Sequence, residues 1–170
     1  MAFIVEDSQT ISFAEYDDVF ARDQRLFDAN ESLTDDVVEP LLIRATERIL
    51  SKLRSSEWWR DLYLGLRTDS NTIRTVADIP ALDADNIIGR TNDFTDLCVY
   101  VALSEFILPL VADFGDEDNA ERRKMGYYSN KADELFRELI IAGDWYDFDE
   151  DGSVQSSEKE PGFANLKRVR

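Results

Sequence analysis

The residues with the strongest chemical signature are Asp147-Phe-Asp-Glu-Asp-Gly-Ser-Val-Gln-Ser-Ser-Glu158, an acidic run near the C-terminus. Its spacing is D-x-D-x-D-G-x5-E, the arrangement of oxygen ligands around a hard divalent cation. Asp147, Asp149 and Asp151 fall at loop positions one, three and five. Ser153 falls at position seven, where the ligand is a backbone carbonyl, and Glu158 falls at position twelve, where a carboxylate closes the shell with two oxygens. Gly152 at position six permits the sharp turn, and Val154 at position eight is placed to turn back toward the protein. One divalent cation, calcium first, is the expected occupant, and no organic cofactor is expected. The loop stands alone: no second one pairs with it, and Pro161-Gly162 leave about one turn for a following helix. Such a loop acts as a staple that pins the C-terminal segment rather than as a sensor that opens a groove.

The last residues are opposite in charge. Lys167, Arg168 and Arg170 end a chain whose formal net charge is −17. Phe163, Leu166 and Val169 recur at i, i+3 and i+6, so the tail reads as a docking peptide with apolar anchors and a basic face. A staple just upstream lowers the entropy cost of presenting it.

Other chemistries are poorly served. The sequence has no histidine, which removes imidazole bases and Ser-His or Cys-His nucleophile pairs. It has no G-x-S-x-G, P-loop or G-x-G-x-x-G motif. Its acids cluster locally instead of converging from several elements as a two-metal hydrolase needs, so no enzymatic activity is expected. Cys98, the single cysteine, lies in the apolar run Leu97-Cys-Val-Tyr-Val-Ala-Leu103 and reads as a buried, inert thiol. The acidic surface repels nucleic-acid phosphate and anionic membranes, and it opposes single-strand binding, which needs a basic groove. Met1-Ala-Phe-Ile-Val-Glu-Asp7 turns acidic at once, so no signal peptide is expected. The most apolar window, residues 97–112, reads as a core helix too short to span a bilayer.

These residues are carried by elements that the apolar periodicity outlines. At 170 residues and 44% hydrophobic, the chain is large enough for one real core. Residues 3–5 read as a short strand or arm. Ser12 is placed to cap a helix to about residue 23, with Phe13, Tyr16, Val19 and Phe20 as its stripe, followed by a polar connection over 27–33. Leu42, Ala45, Ile49 and Leu53 recur at helical spacing, with Pro40 in the first turn and residues 34–38 as a separate turn. Ser56 caps a short helix carrying Trp58 and Trp59, which read as packing. Residues 66–90 lack a period and read as an excursion with a short hairpin. A buried helix runs from residue 91 or 92 to about residue 109 or 113. A last helix runs from 119 to 141 with Tyr128, Ala132, Leu135 and Leu139 as its stripe, and Gly143 ends it.

The fold class is therefore mainly α: a small helical bundle with long central and C-terminal helices, a short irregular or β excursion in the middle, and an extended C-terminal tail. Residues 1–143 form the bundle domain, and residues 144–170 form the acidic loop and docking tail.

Three stretches resemble tailed-bacteriophage head–tail connector proteins. They are the opening Met1-Ala-Phe-Ile-Val-Glu-Asp7 with its aromatic helix, the helix Leu41-Leu-Ile-Arg-Ala-Thr-Glu-Arg-Ile-Leu50, and the end from Trp145 through Glu158 to Leu166-Lys-Arg-Val-Arg170. The resemblance covers both ends and that helix; about residues 64–90 match nothing in it. It implies a virion protein of the neck, assembled in the host cytoplasm as a ring of about twelve copies beneath the portal. It also implies that the C-terminal segment, here residues 163–170, inserts into the portal. The ring would extend the DNA channel, accept the next neck or tail protein, and let DNA pass without specific binding. Two other readings stand beside it: a small calcium-binding helix–loop protein, and a neighbouring neck or head-closure protein.

Overall fold

The structure is a computed structural model; it describes residues 3–7, 9–60, 81–115 and 119–155. The protein is mainly α-helical, with one two-stranded sheet among the described residues. Strand β1 (Ile4–Glu6) pairs antiparallel with β2 (Gln9–Ser12), Val5 opposite Thr10. The expected N-terminal strand is present, but its partner takes residues read as a helix start. Ser12 caps no helix. Its hydroxyl bonds the backbone of Ala14, donating to the carbonyl oxygen at 2.8 Å. Phe13 then enters the core outside any helix, fully buried. Its N–H donates to Thr46 Oγ1 at 3.1 Å, and its carbonyl accepts from Thr95 Oγ1 at 2.7 Å.

Helix α1 starts later, at Tyr16 (Tyr16–Arg22), where Asp18 Oδ2 accepts from the Glu15 N–H at 2.9 Å. The chain bends at Asp23 and forms α2 (Gln24–Ala29), so Phe27 is a buried helical residue and not part of a polar connection. Helix α3 (Asp35–Ser55) absorbs both the expected turn at 34–38 and the helix after it, with Pro40 inside. Proline removes the bond to the carbonyl four residues back. Here that is Asp36, an exposed residue in the first turn of the helix, where solvent can satisfy the carbonyl. The α3 stripe is as read: Leu42, Ala45, Ile49 and Leu53 are fully buried. Ser56 does cap the helical residues 57–60, accepting from the Trp59 N–H at 3.3 Å.

Helix α4 (Thr91–Val101), a π-helical turn (Ala102–Ile107) and α5 (Leu108–Val111) form one continuous rod. The wide turn lies directly before Pro109, which has no N–H for the Glu105 carbonyl. Within it, Ser104 Oγ donates back to the Tyr100 carbonyl at 2.8 Å. The rod covers the residues that read as the buried helix, and it is longer than the 97–112 window that reads as too short to span a bilayer. It spans 21 residues, and an 18-residue window within it has a mean hydropathy of 1.7, so by length and composition it could cross a membrane. Here α3 and α6 (Ala120–Ala142) both pack against it, and Phe94, Leu97, Leu103, Ile107 and Leu108 are fully buried or nearly so. Asn119 caps α6, its side chain accepting from the Glu121 and Arg122 N–H groups, and Gly143 ends the helix at φ 57°.

Residues 61–80 of the expected excursion lie outside the described residues. The described remainder, 81–90, holds a 3-10 turn (Ala84–Asn86) and a single bridge from Ile87 to Tyr146. That bridge pairs the segment with the C-terminal region and not with itself.

Candidate metal centre

The acidic loop is held by a strap, residues 144–148, that lies against residues 83–90. The Ile88 and Gly89 N–H groups both donate to the Trp145 carbonyl at 3.1 Å, and the Asp147 N–H donates to the Asn86 carbonyl at 2.9 Å. Arg90, itself at φ 53°, grips Asp144 with two guanidinium nitrogens, Nη2 to Oδ2 at 3.1 Å. That hydrogen-bonded pairing raises the Arg90 pKa. Trp145 is fully buried, its indole N–H donating to the Leu139 carbonyl at 2.8 Å, and its ring lies 4.4 Å from Trp58 and 4.9 Å from Phe94. Tyr146 Oη accepts from the Asp83 N–H at 3.2 Å, and burial raises the pKa of its phenol. Phe148 stacks on Trp59 at 5.7 Å, so the second loop position is anchored in the same aromatic cluster. Trp58 and Trp59 are both buried, as packing residues should be.

From this base the chain turns sharply. Glu150 and Gly152 take positive φ, 60° and 85°. Asp147, buried at 3% exposure, accepts from the Glu150 N–H with Oδ1 and from the Gly152 N–H with Oδ2, both at 2.8 Å. Asp149 Oδ1 accepts from the Asp151 N–H at 3.3 Å. Asp151 accepts from the Ser153 N–H at 2.9 Å, from the Ser153 hydroxyl at 2.8 Å and from Gln155 Nε2 at 2.6 Å; these bonds, Ser153 first, lower its pKa.

Asp147, Asp149 and Asp151 each bring a carboxylate oxygen within 4.8 Å of the others. Three carboxylates so close repel one another, and a hard cation between them replaces repulsion with attraction. The donor set is all oxygen, which suits calcium or magnesium and not a soft metal. Ser153 is exposed with its side chain turned to Asp151, which leaves its carbonyl as the group available at position seven. Val154 is half-buried. Glu158 and the tail residues Phe163, Leu166, Lys167, Arg168, Val169 and Arg170 lie outside the described residues.

The three aspartates stand out in the sequence, whereas the residues that position them do not. Gly89, Arg90 and Asp144 carry no local signature, because their partners lie some 55 positions away in the chain. The opposite charges of Arg90 and Asp144 were the one available hint.

Compared with protein-family models, with curated proteins and with solved structures, the chain finds no match.

Proposed function

We propose that the chain is a structural virion protein, a head–tail adaptor of a tailed bacteriophage. It assembles as a ring, docks on the portal through residues 163–170, extends the DNA channel and accepts the next neck or tail protein. The observation that carries this reading is the strap. Three backbone hydrogen bonds, an Arg90–Asp144 pair and a fully buried Trp145 fix the point from which the C-terminal segment departs. A rigid exit point followed by a basic, apolar-anchored peptide suits a subunit that docks by its end. The net charge of −17 suits a channel wall past which DNA slides without sticking. In this reading a divalent cation bound by Asp147, Asp149 and Asp151 stiffens the loop between strap and tail, and the chain performs no reaction. Removing residues 163–170 should leave the folded bundle intact and abolish capture by the portal; a truncated chain that binds portal as well as the full one would reject the assignment.

A second reading is favoured by the loop alone. The positive φ at Gly152 and the two N–H groups turned onto Asp147 are the geometry of a calcium-binding loop. A calcium-binding protein working in solution would change shape as a monomer when the ion binds. An adaptor would form rings, and small-angle scattering with and without calcium separates the two.

A further inference from the structure

A groove of about 360 Å³ lies beside the strap's docking segment. Leu50, Ala81, Leu82 and Ala84 give it an apolar floor, and Asp83 and Asp85 stand exposed on its rim. Neither aspartate has an ion-pair partner among the described residues. Asp85 Oδ1 accepts from the Thr10 N–H at 2.7 Å and the Asp83 N–H donates to Tyr146, so the rim is fixed to both the hairpin and the strap.

The loop that leads into the tail starts beside this groove, with Tyr146 bonded to Asp83 and Asp147 to Asn86. It turns back on Asp147 through Gly152, and Gln155 follows three residues on. Residues 156–162 then span up to about 25 Å when extended, enough to return from the loop to the groove. The tail's composition is complementary to the groove. Residues 163–170 carry Lys167, Arg168 and Arg170 and no acid, interleaved with Phe163, Leu166 and Val169. Apolar side chains gain by leaving water for the floor, and cations gain by approaching two uncompensated carboxylates.

We infer that, in the free subunit, residues 163–170 occupy this groove of their own chain. The basic side chains meet Asp83 and Asp85, and the apolar ones cover Leu50 and Leu82. This goes beyond portal docking and does not depend on it. If the tail also serves a partner, the groove keeps its apolar anchors covered until that partner arrives.

The test uses the full chain without any portal. Cys98 is fully buried, so a nitroxide attached to an Ala164→Cys variant labels the tail alone. Docking predicts that the amide signals of Thr10, Leu50, Leu82 and Asp85 are lost to paramagnetic broadening and return when the nitroxide is reduced. Asp83→Asn with Asp85→Asn keeps the acceptor oxygens but removes the charges, and should restore much of that lost intensity. Full-intensity signals beside the nitroxide, in a chain whose spectrum is otherwise unchanged, overturn the inference. So does broadening seen only when labelled tail and isotope-labelled groove are on different molecules, which would make a second copy the occupant. Broadening that is indifferent to the two asparagines removes the charge pairing. None of these outcomes bears on whether the portal is the tail's partner.

Discussion

Gly89 lies so close to Trp145 that a β-carbon on it would stand 2.8 Å from the Trp145 α-carbon and 2.6 Å from the Asp144 carbonyl oxygen. Both are backbone atoms of the strap, so no side-chain rotation relieves the contact. The Gly89→Ala variant must therefore push the strap away and weaken the two N–H bonds to the Trp145 carbonyl. We expect a loss of about 1–3 kcal/mol, as for other overpacked sites. Urea denaturation reads the loss. Tryptophan emission in the folded variant should shift to the red as Trp145 and Trp58 meet water. An unchanged midpoint would show that the strap does not contribute to stability.

The same strap sets the prediction for metal. Asp149 and Asp151 are exposed, and Asp149 can be neutralised without touching the bonds that shape the loop through Asp147. Calcium should raise the melting temperature of the native chain, since a ligand that binds only the folded state at about 100 times its Kd adds about 2.7 kcal/mol. Asp149→Asn should melt like the calcium-free chain whether or not calcium is present. Terbium emission excited through the Trp59–Phe148 cluster gives an independent reading. No sensitised emission from the native chain would remove the cation from the account.

The acidic loop was legible because its information is local: three aspartates at fixed spacing bring their carboxylates together once Gly152 turns the chain. The stripes of α3 and α6 were legible for the same reason, since residues three and four apart share a face. What the pattern hid was decided by partners far away. Ser12 has the composition of a helix cap but sits in a strand, because Phe13 is drawn into the core by Thr46 on α3 and Thr95 on α4. The bend at Asp23 depends on Lys124, a hundred positions on. Pro40 suggested a helix start, yet its cost falls on one exposed carbonyl and the helix runs through it.

Asp23 makes a prediction of its own. Its carboxylate is 9% exposed and accepts from Lys124 Nζ at 2.9 and 2.7 Å and from the Tyr128 hydroxyl at 3.4 Å. It ties the α1–α2 bend to α6. Lys124→Met leaves a nearly buried carboxylate without its cation, which should cost about 2–3 kcal/mol. Lys124→Met combined with Asp23→Asn should recover part of that, because the uncompensated charge is gone. Denaturant unfolding of the two single variants and the double variant measures the coupling. Additive losses would mean that the pair contributes nothing beyond its separate contacts.

Cys98 gives the stability a dependence on alkaline pH. Its thiol is fully buried, with Sγ 3.4 Å from Thr46 Oγ1 and 3.6 Å from the Leu42 carbonyl oxygen. Loss of hydration pushes its pKa from 9.0 up to about 11. Between those values the folded chain keeps a proton that the unfolded chain releases. Stability from this group is therefore intact below pH 9 and falls as pH rises, by about 1.4 kcal/mol per unit across the window. Tyr128, raised to about 12 chiefly by burial and then by Asp23, adds a similar trend beginning near pH 10. The difference between the native chain and Cys98→Ala isolates the thiol: the variant should lose less stability between pH 9 and 11. Thiol-reactive reagents offered to the native chain in that range should modify Cys98 only at the rate of unfolding. Rapid labelling with the fold intact would show that the thiol reaches solvent and would defeat the burial argument.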